Sequence, residues 1–190
     1  MNVCKNQNYK LSNFIRKMTA GLVMKHVVIA MLISGILTAC QTVTIDSQFD
    51  IRQAQTALEP GTNRIEGNAF LRQRGGSVVT AAGEVVRLIP ATRYAEERFQ
   101  KIYGGNKFAP LLFANRTENT NADYIRLTRE TKADAQGNFQ FENVKPGRYI
   151  VMTRVVWAVP GSSLPEGGSI FDYVEIRGER QTVKTVISGN

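Results

Sequence analysis

The chain is poor in the side chains on which most enzyme active sites depend. It has two cysteines, one histidine and one tryptophan in 190 residues. Cys4 and His26 both precede Cys40, which is the other cysteine. After Cys40 the sequence therefore offers no cysteine–histidine or serine–histidine pair, no disulfide, and no zinc site of nitrogen and sulfur ligands. No cofactor and no metal are expected, and only chemistry based on carboxylates stays open.

The chain also lacks a concentrated positive charge. Its formal net charge is +8, but five of its 24 basic residues and none of its 16 acidic residues precede Cys40. The remainder of the chain thus carries 19 basic and 16 acidic residues, with no polybasic run. Because phosphate binding needs a concentrated basic face, this distribution argues against nucleic acid as a partner.

No apolar run is long enough for a conventional membrane span. Val27–Ala39 has 13 residues, whereas a transmembrane helix needs roughly 20. The run follows basic residues and ends in Leu37, Thr38, Ala39 and Cys40, as a secretory signal does. This ending resembles the lipobox of bacterial lipoprotein precursors, in which the chain is cut before the cysteine and the cysteine sulfur carries a lipid. An uncleaved membrane anchor and a buried core helix are the alternatives, and the lack of a polar face disfavours the buried helix.

The lipobox resemblance implies a lipid on Cys40 and a place in the bacterial cell envelope. Gln41, instead of aspartate, follows the cysteine, which favours sorting to the outer membrane on the side that faces the periplasm. Residues 1–39 would be the signal region, within which residues 1–23 are either an over-long gene start or an extended basic segment. We expect a lipidated tether and a short helix over residues 40–63. The polar stretch Gln41–Gln48 would reach about 27 Å when extended.

From residue 64 to residue 190 the pattern predicts a β-sandwich domain. Alternating or β-branched segments indicate about seven short strands, and one short helical insertion runs from Thr92, as N-cap, to Gly104. Two hairpins are expected: one joins strands 124–133 and 138–142 through a turn at 134–137, and a closing one joins 170–177 to 181–188. The longest strand, 148–159, has apolar residues on both faces. The predicted fold is all-β, an antiparallel two-sheet sandwich.

One stretch of this domain resembles the carboxypeptidase regulatory-like modules, whose fold is a prealbumin-like (transthyretin-like) sandwich. Their signature is a threonine, an aspartate–glycine turn, an aromatic-x-aromatic strand, a Pro-Gly turn and a tyrosine-led strand. The matching residues are Thr131, Asp134, Gly137, Phe139, Phe141, Pro146, Gly147 and Tyr149. The resemblance extends over about Ile65–Val159, and the insertion at 94–123 departs from the family pattern.

We interpret these residues as structural. Asp134, Gly137, Pro146 and Gly147 would form turns, because glycine tolerates positive φ and proline presets a turn. Large apolar rings hold small sheets together, and the predicted core aromatics are Phe139, Phe141, Tyr149 and Trp157.

Two groups of carboxylate residues are candidates for a metal site or a catalytic pair. Asp134-x-Gln136-x-Asn138 suggests a calcium loop, but its twelfth position is Lys145, where such a loop needs glutamate. Glu96 and Glu97 are adjacent on the predicted helix and do not face one another, so we expect a solvated face.

The best candidates for binding are two loops, 106–121 and 160–168, since recognition is commonly placed on loops of a rigid scaffold. The leading hypothesis is a lipid-anchored envelope protein whose non-catalytic sandwich binds other envelope proteins or plays a structural role. A second hypothesis is a secretion-machine component, because the outer-membrane lipoprotein of type VI secretion systems resembles this plan. A third is a carbohydrate-binding module acting on peptidoglycan or surface glycans, which a buried Trp157 would weaken.

Overall fold

The computed structural model describes residues 42–112, 116–117 and 120–189. The lipobox residues Leu37, Thr38, Ala39 and Cys40 lie outside this range. The described residues belong to one compact unit, Gln41–Asn190. Its strands are β1 (Thr42–Val43), β2 (Asn63–Arg72), β3 (Val78–Thr80), β4 (Val85–Pro90), β5 (Phe108–Pro110), β6 (Arg116–Thr117), β7 (Arg129–Lys132), β8 (Asn138–Val144), β9 (Gly147–Trp157), β10 (Glu166–Ile176) and β11 (Thr182–Ile187). Its helices are α1 (Ile51–Ala57), α2 (Arg93–Tyr103) and α3 (Ala122–Arg126).

Nine of these strands form two sheets. The larger sheet has the order β5-β10-β9-β4-β7, and β2 is the centre of the smaller one, paired with β11, β8 and β3. Every pair within the two sheets is antiparallel except β11 with β2, which is parallel. The predicted all-β two-sheet sandwich is thus confirmed.

The predicted closing hairpin is wrong. Strand β10 pairs with β9 along one edge and, at Gly168–Ile170, with β5 along the other; its register contains no residue of β11. The chain crosses to the other sheet through Arg180, which has a φ of 55°, and β11 pairs with β2 instead.

The hairpin predicted around 134–137 is also wrong, although the turn itself is present. Strand β7 pairs with β4 in the larger sheet, whereas β8 pairs with β2 in the smaller one. The turn therefore carries the chain between the sheets. Residues 124–126, predicted as strand, belong to helix α3, because the Asn121 side chain accepts hydrogen bonds from the amides of Asp123 and Tyr124.

The region 106–121, predicted as an irregular loop, contains a strand of the sandwich. Phe108–Pro110 forms β5 and pairs with Gly168–Ile170 at the edge of the larger sheet. Edge strands need only one partner and can be very short. This explains why three residues between polar segments gave no clear strand pattern.

Both faces of β9 are covered, as the sequence predicted. One face, with Tyr149, Val151 and Val155, lies in the core between the sheets. On the other face Ile150 packs with Phe99 of α2 in a second core. Helix α2 has the predicted caps: the Thr92 hydroxyl accepts from the amide of Ala95, and Gly104 is left-handed with a φ of 59°.

The segment Thr42–Asp50, which includes most of the predicted tether Gln41–Gln48, is folded onto α2. Strand β1 pairs with β6 in parallel, and Ile45 and Phe49 pack against the second core. Glu97 accepts hydrogen bonds from the amides of Asp46 and Ser47 at 2.8 and 2.9 Å. This carboxylate does not lie on a solvated face as predicted, since its side chain is only 19% exposed.

Candidate binding cleft

The two loops singled out from the sequence meet at one end of the sandwich. The amide of Leu111 donates to the carbonyl of Gly167 at 3.0 Å, which joins the end of β5 to the start of β10. The turn between β2 and β3 closes the third side. Together they form a cleft of about 800 Å³, lined by Arg72, Gln73, Arg74, Gly75, Phe108, Pro110, Leu111, Leu112, Trp157, Ala158, Val159, Pro160, Pro165, Glu166 and Gly167.

Two aromatic rings in the cleft lie against backbone that carries no side chain. A Cβ on Gly167 would stand 2.9 Å from Cζ3 of Trp157, and one on Gly168 would stand 2.9 Å from Cε2 of Phe108. Such separations are too short for real carbon–carbon contacts. The glycine pair therefore lets both rings lie close to β10 at the mouth of the inter-sheet core.

Trp157 is less buried than its strand pattern indicated. It is partly buried, packs against the inter-sheet core and also lines the cleft. Its neighbour Ala158 is exposed. Strand β9 ends at Trp157. The indole ring therefore lies at the open end of the sandwich instead of at its centre.

Charged groups of both signs stand beside these rings. Arg72 and Arg74 come from the β2–β3 side and Glu166 from the start of β10. Within the part of the chain that the structure describes, no hydrogen bond or ion pair of these three side chains is found.

Three exposed leucines mark the rim of the cleft: Leu111 and Leu112 line it, and Leu164 immediately precedes the lining residue Pro165. Leu111 and Leu112 are 37% and 46% exposed, and Leu164, in the loop between β9 and β10, is 59% exposed. Exposed large apolar side chains that cluster beside a concave site commonly mark an interaction surface. Phe113, the third member of this apolar group in the sequence, lies outside the described residues.

Apart from Trp157, the residues interpreted as structural lie away from the cleft. Asp134 accepts hydrogen bonds from the amides of Gln136 and Asn138 at 2.9 and 2.8 Å, and these bonds, with the Asn138 side chain, lower its pKa. Gly137 has a φ of 80°. Phe139, Phe141 and Tyr149 are buried between the sheets.

The turn at Pro146 and Gly147 leads directly into β9. Two residues further on, the Tyr149 hydroxyl lies 2.8 Å from the carbonyl oxygens of Ala57 and Lys145. Burial raises the pKa of Tyr149 to about 12. The tyrosine thus ties helix α1 to the turn.

A second groove, of about 710 Å³, lies along β2, β8 and β11. Two of its amide groups are bonded within the fold: Asn68 donates to the side chain of Asn138 at 2.8 Å, and Asn138 donates to Asp134 at 3.0 Å. Its one aromatic lining residue, Phe139, is buried, so the groove is a weaker candidate than the cleft.

The acidic side chains of α2 do not form a shared site. Glu96 pairs with Arg148, whereas Glu97 pairs with Lys101 at 2.8 Å, so the two carboxylates serve different neighbours. The described residues contain no group of three or more histidine, cysteine, aspartate or glutamate side chains placed to hold a metal ion. None of the helices described has the length and apolarity needed to cross a bilayer.

Comparison with known proteins gives a structural likeness only. No family model matches the sequence, and no curated protein matches it. A crystal structure from Pseudomonas aeruginosa, of a protein provisionally described as carbohydrate-binding, superposes with a TM-score of 0.64 at 20% identity, over 75% of this chain and 98% of the other. The dioxygenase domain of a dioxygenase–carbohydrate-binding protein fusion from Streptomyces sp. SirexAA-E has a TM-score of 0.29 at 9% identity, over 81% and 92% of the two chains, which is too low to support any argument. The first likeness establishes that this β-sandwich architecture occurs in a solved protein.

Proposed function

We propose that this chain is a lipid-anchored, non-catalytic binding protein of the bacterial cell envelope, and that the cleft binds a glycan. The observation that carries the proposal is that Trp157 and Phe108 line one cleft with Arg72, Arg74 and Glu166, three charged side chains that have no partner among the described residues. Sugars present apolar C–H faces that stack on aromatic rings, and hydroxyls that bond to charged groups. The carbohydrate binding ascribed to the structural neighbour agrees with this assignment.

The anchoring part of the proposal rests on the lipobox-like sequence that ends at Cys40. Gln41 favours the outer membrane, with the domain facing the periplasm. The substitution Cys40→Ala removes the sulfur that would carry the lipid. It is expected to leave the protein uncleaved or to release it from the membrane. Recovery of a cleaved variant that still needs detergent for extraction would contradict the lipid anchor.

Ligand binding can be followed without a label, because Trp157 is the only tryptophan of the chain. We expect its fluorescence to change when oligosaccharides released from peptidoglycan or from lipopolysaccharide are added to the full chain. Arg72→Ala and Arg74→Ala should each weaken binding about tenfold or more, since hydrogen bonds to charged groups contribute about 1.5–3 kcal/mol. Arg177→Ala, an exposed arginine outside the cleft, is the matched control. A fluorescence titration that stays flat with every glycan would contradict the proposal.

A second candidate function is docking of an envelope protein, favoured by the exposed Leu111, Leu112 and Leu164 at the rim. In-cell crosslinking with mass spectrometry distinguishes the two. Loss of a crosslinked partner in Leu112→Ala and Leu164→Ala, but not in Ile125→Ala, whose side chain is 61% exposed elsewhere, would favour protein docking.

A further inference from the structure

The β2–β3 turn brings two positive charges to one side of the cleft. Two backbone hydrogen bonds close this turn, from the amide of Gln73 to the carbonyl of Ser77 at 2.8 Å and from the amide of Gly76 to the carbonyl of Gln73 at 2.9 Å. Arg72 and Arg74 flank Gln73 in the sequence, and two chain steps extend at most about 7 Å. The turn therefore holds the backbones of two exposed arginines close together where they line the cleft.

Strand β2 has another exposed arginine at its far end, and there the fold supplies the counter-charge. The guanidinium of Arg64 lies 2.8 Å from the carboxylate of Glu142 and 3.5 Å from that of Glu66. Arg72, at the cleft end of the same strand, is paired across the sheet with Val78, which has no charge. The two ends of β2 thus differ in that only the far end places carboxylates beside its arginine.

The acidic residue of the described lining comes from the other sheet. Glu166 is paired with Trp157 across β9 and β10. Directly opposed residues of antiparallel strands share one face of the sheet, with Cβ atoms about 4.5–5.5 Å apart. The Glu166 side chain therefore begins beside the indole ring, whereas the two arginines come from the β2–β3 side.

We propose that the cleft selects an acidic glycan, one whose sugars carry a carboxylate, and that Arg72 and Arg74 bind this carboxylate. The inference rests on the proposed function, because it names the class of glycan that the cleft takes. A guanidinium presents its N–H donors in a planar fork that matches the two oxygens of a carboxylate. Glu166 repels an acid and accepts from hydroxyl or amide groups of the same sugar, so the glycan is held in one direction.

The charges of the described lining favour a carboxylate over a phosphate. Two arginines and one glutamate give a net charge of +1, which the single negative charge of a carboxylate neutralises. A phosphate monoester carries about −1.5 to −2 at neutral pH, which exceeds that charge. Sugars from two sources carry a carboxylate, namely the muramic acid of peptidoglycan and the uronic acids of other envelope polysaccharides.

Selectivity is measured by calorimetric titration of the full chain with matched disaccharides. N-acetylglucosaminyl-N-acetylmuramic acid and diacetylchitobiose both consist of two acetylated amino sugars, but only the first has a carboxylate. Digalacturonic acid represents the uronic acids. We expect one of the two acidic disaccharides to bind about tenfold or more tightly than diacetylchitobiose, and the tighter one identifies the source. Equal binding of the neutral and the acidic disaccharides would overturn the inference, as would tighter binding of phosphorylated diacetylchitobiose than of either acid.

Substitutions test where the carboxylate binds. Arg72→Gln and Arg74→Gln should each remove most of the preference for the acidic disaccharide, whereas Arg177→Gln, at an exposed position outside the cleft, should retain it. Glu166→Gln keeps an acceptor but loses the negative charge, and it should increase the preference. A preference that survived both arginine substitutions, or that fell in Glu166→Gln, would overturn the inference.

Ionic strength provides an independent check. Between about 0.01 M and about 1 M salt the screening length shortens from about 30 Å to about 3 Å. Binding of the acidic disaccharide should therefore weaken as salt is added, whereas binding of diacetylchitobiose should change little. Equal salt dependence of the two would contradict a contact between the carboxylate and the arginines.

Failure of the proposed function gives a different result from failure of this inference. If no disaccharide binds, whether neutral or acidic, glycan binding itself is refuted and the inference with it. If the neutral and acidic disaccharides bind equally, glycan binding stands and the inference alone is refuted.

Discussion

The indole of Trp157 lies against Gly167, and the space it occupies exists only because that position has no side chain. Gly167 has a φ of 104°, and a Cβ there would also stand 2.1 Å from the carbonyl oxygen of Val155. The cleft thus depends on a backbone feature as much as on its side chains.

Gly167→Ala is expected to destabilise the domain by about 1–3 kcal/mol, the usual cost of a strained backbone position, and to shift the fluorescence of Trp157. Gly161→Ala is the matched control, because Gly161 has a φ of 79° but open space around it. Thermal unfolding of both variants measures the difference. If the two variants lost equal stability, the contact with Trp157 would not be the cause.

Glu97→Ala should release the segment Thr42–Asp50 from α2. The carboxylate accepts from the amides of Asp46 and Ser47, and its loss leaves those amides without their partner. Hydrogen exchange of these two amides is therefore expected to accelerate. Glu96→Ala, one residue away and paired with Arg148, should leave their exchange unchanged. Protection that persisted in Glu97→Ala would show that Ile45 and Phe49 hold the segment without the carboxylate.

Acid should loosen the same segment. Hydrogen bonds from Lys101, Ser47 and Asp46 hold the pKa of Glu97 well below its ordinary value of 4.5. A folded-state pKa that is lowered contributes stability above the unfolded pKa, and this stability is lost as the pH falls. We expect the melting temperature to decrease as the pH is lowered below about 4.5. The decrease should be smaller in Glu97→Ala than in the unaltered protein. The two pH profiles, measured by calorimetry, would run parallel if Glu97 were not involved.

Tyr149→Phe should cost about 1 kcal/mol, the usual contribution of one hydrogen bond, because the hydroxyl lies 2.8 Å from the carbonyl oxygens of Ala57 and Lys145. Burial raises the pKa of Tyr149 to about 12, from an ordinary value of 10.0. The folded state therefore loses stability as the pH rises above about 10. Denaturant unfolding checks both effects. Tyr173→Phe removes a hydroxyl for which the described residues show no hydrogen-bond partner, and it should have the smaller effect at neutral pH.

Local patterns predicted the elements of this fold better than their pairing. Thr92 and Gly104 identified the ends of α2 because capping depends on neighbouring residues. The turn at Asp134 was also visible, for the same reason. The pairing partners of β7 and β11 could not be predicted, because the alternating pattern of a strand does not indicate which strand it will pair with.

The cleft was predictable only in part. The sequence indicated the two loops at 106–121 and 160–168, but not their contact through Leu111 and Gly167. Arg72 and Arg74 were missed, since a β2–β3 turn rich in glycine and arginine has no pattern that indicates a ligand. The Gly167-Gly168 pair was the one available signal, because adjacent glycines within a strand commonly mark a close approach of other groups to the backbone.

By itself, the sequence determined the all-β class, the caps of the main helix and the absence of cysteine and histidine after Cys40. These properties depend on composition and on contacts between near neighbours. The tertiary structure alone decided that β11 joins β2, that Thr42–Asp50 is folded onto α2, and that Trp157 meets Arg72 and Arg74 at one end. These features depend on which edges and surfaces remain uncovered after the rest of the chain has packed, and that is a property of the whole fold.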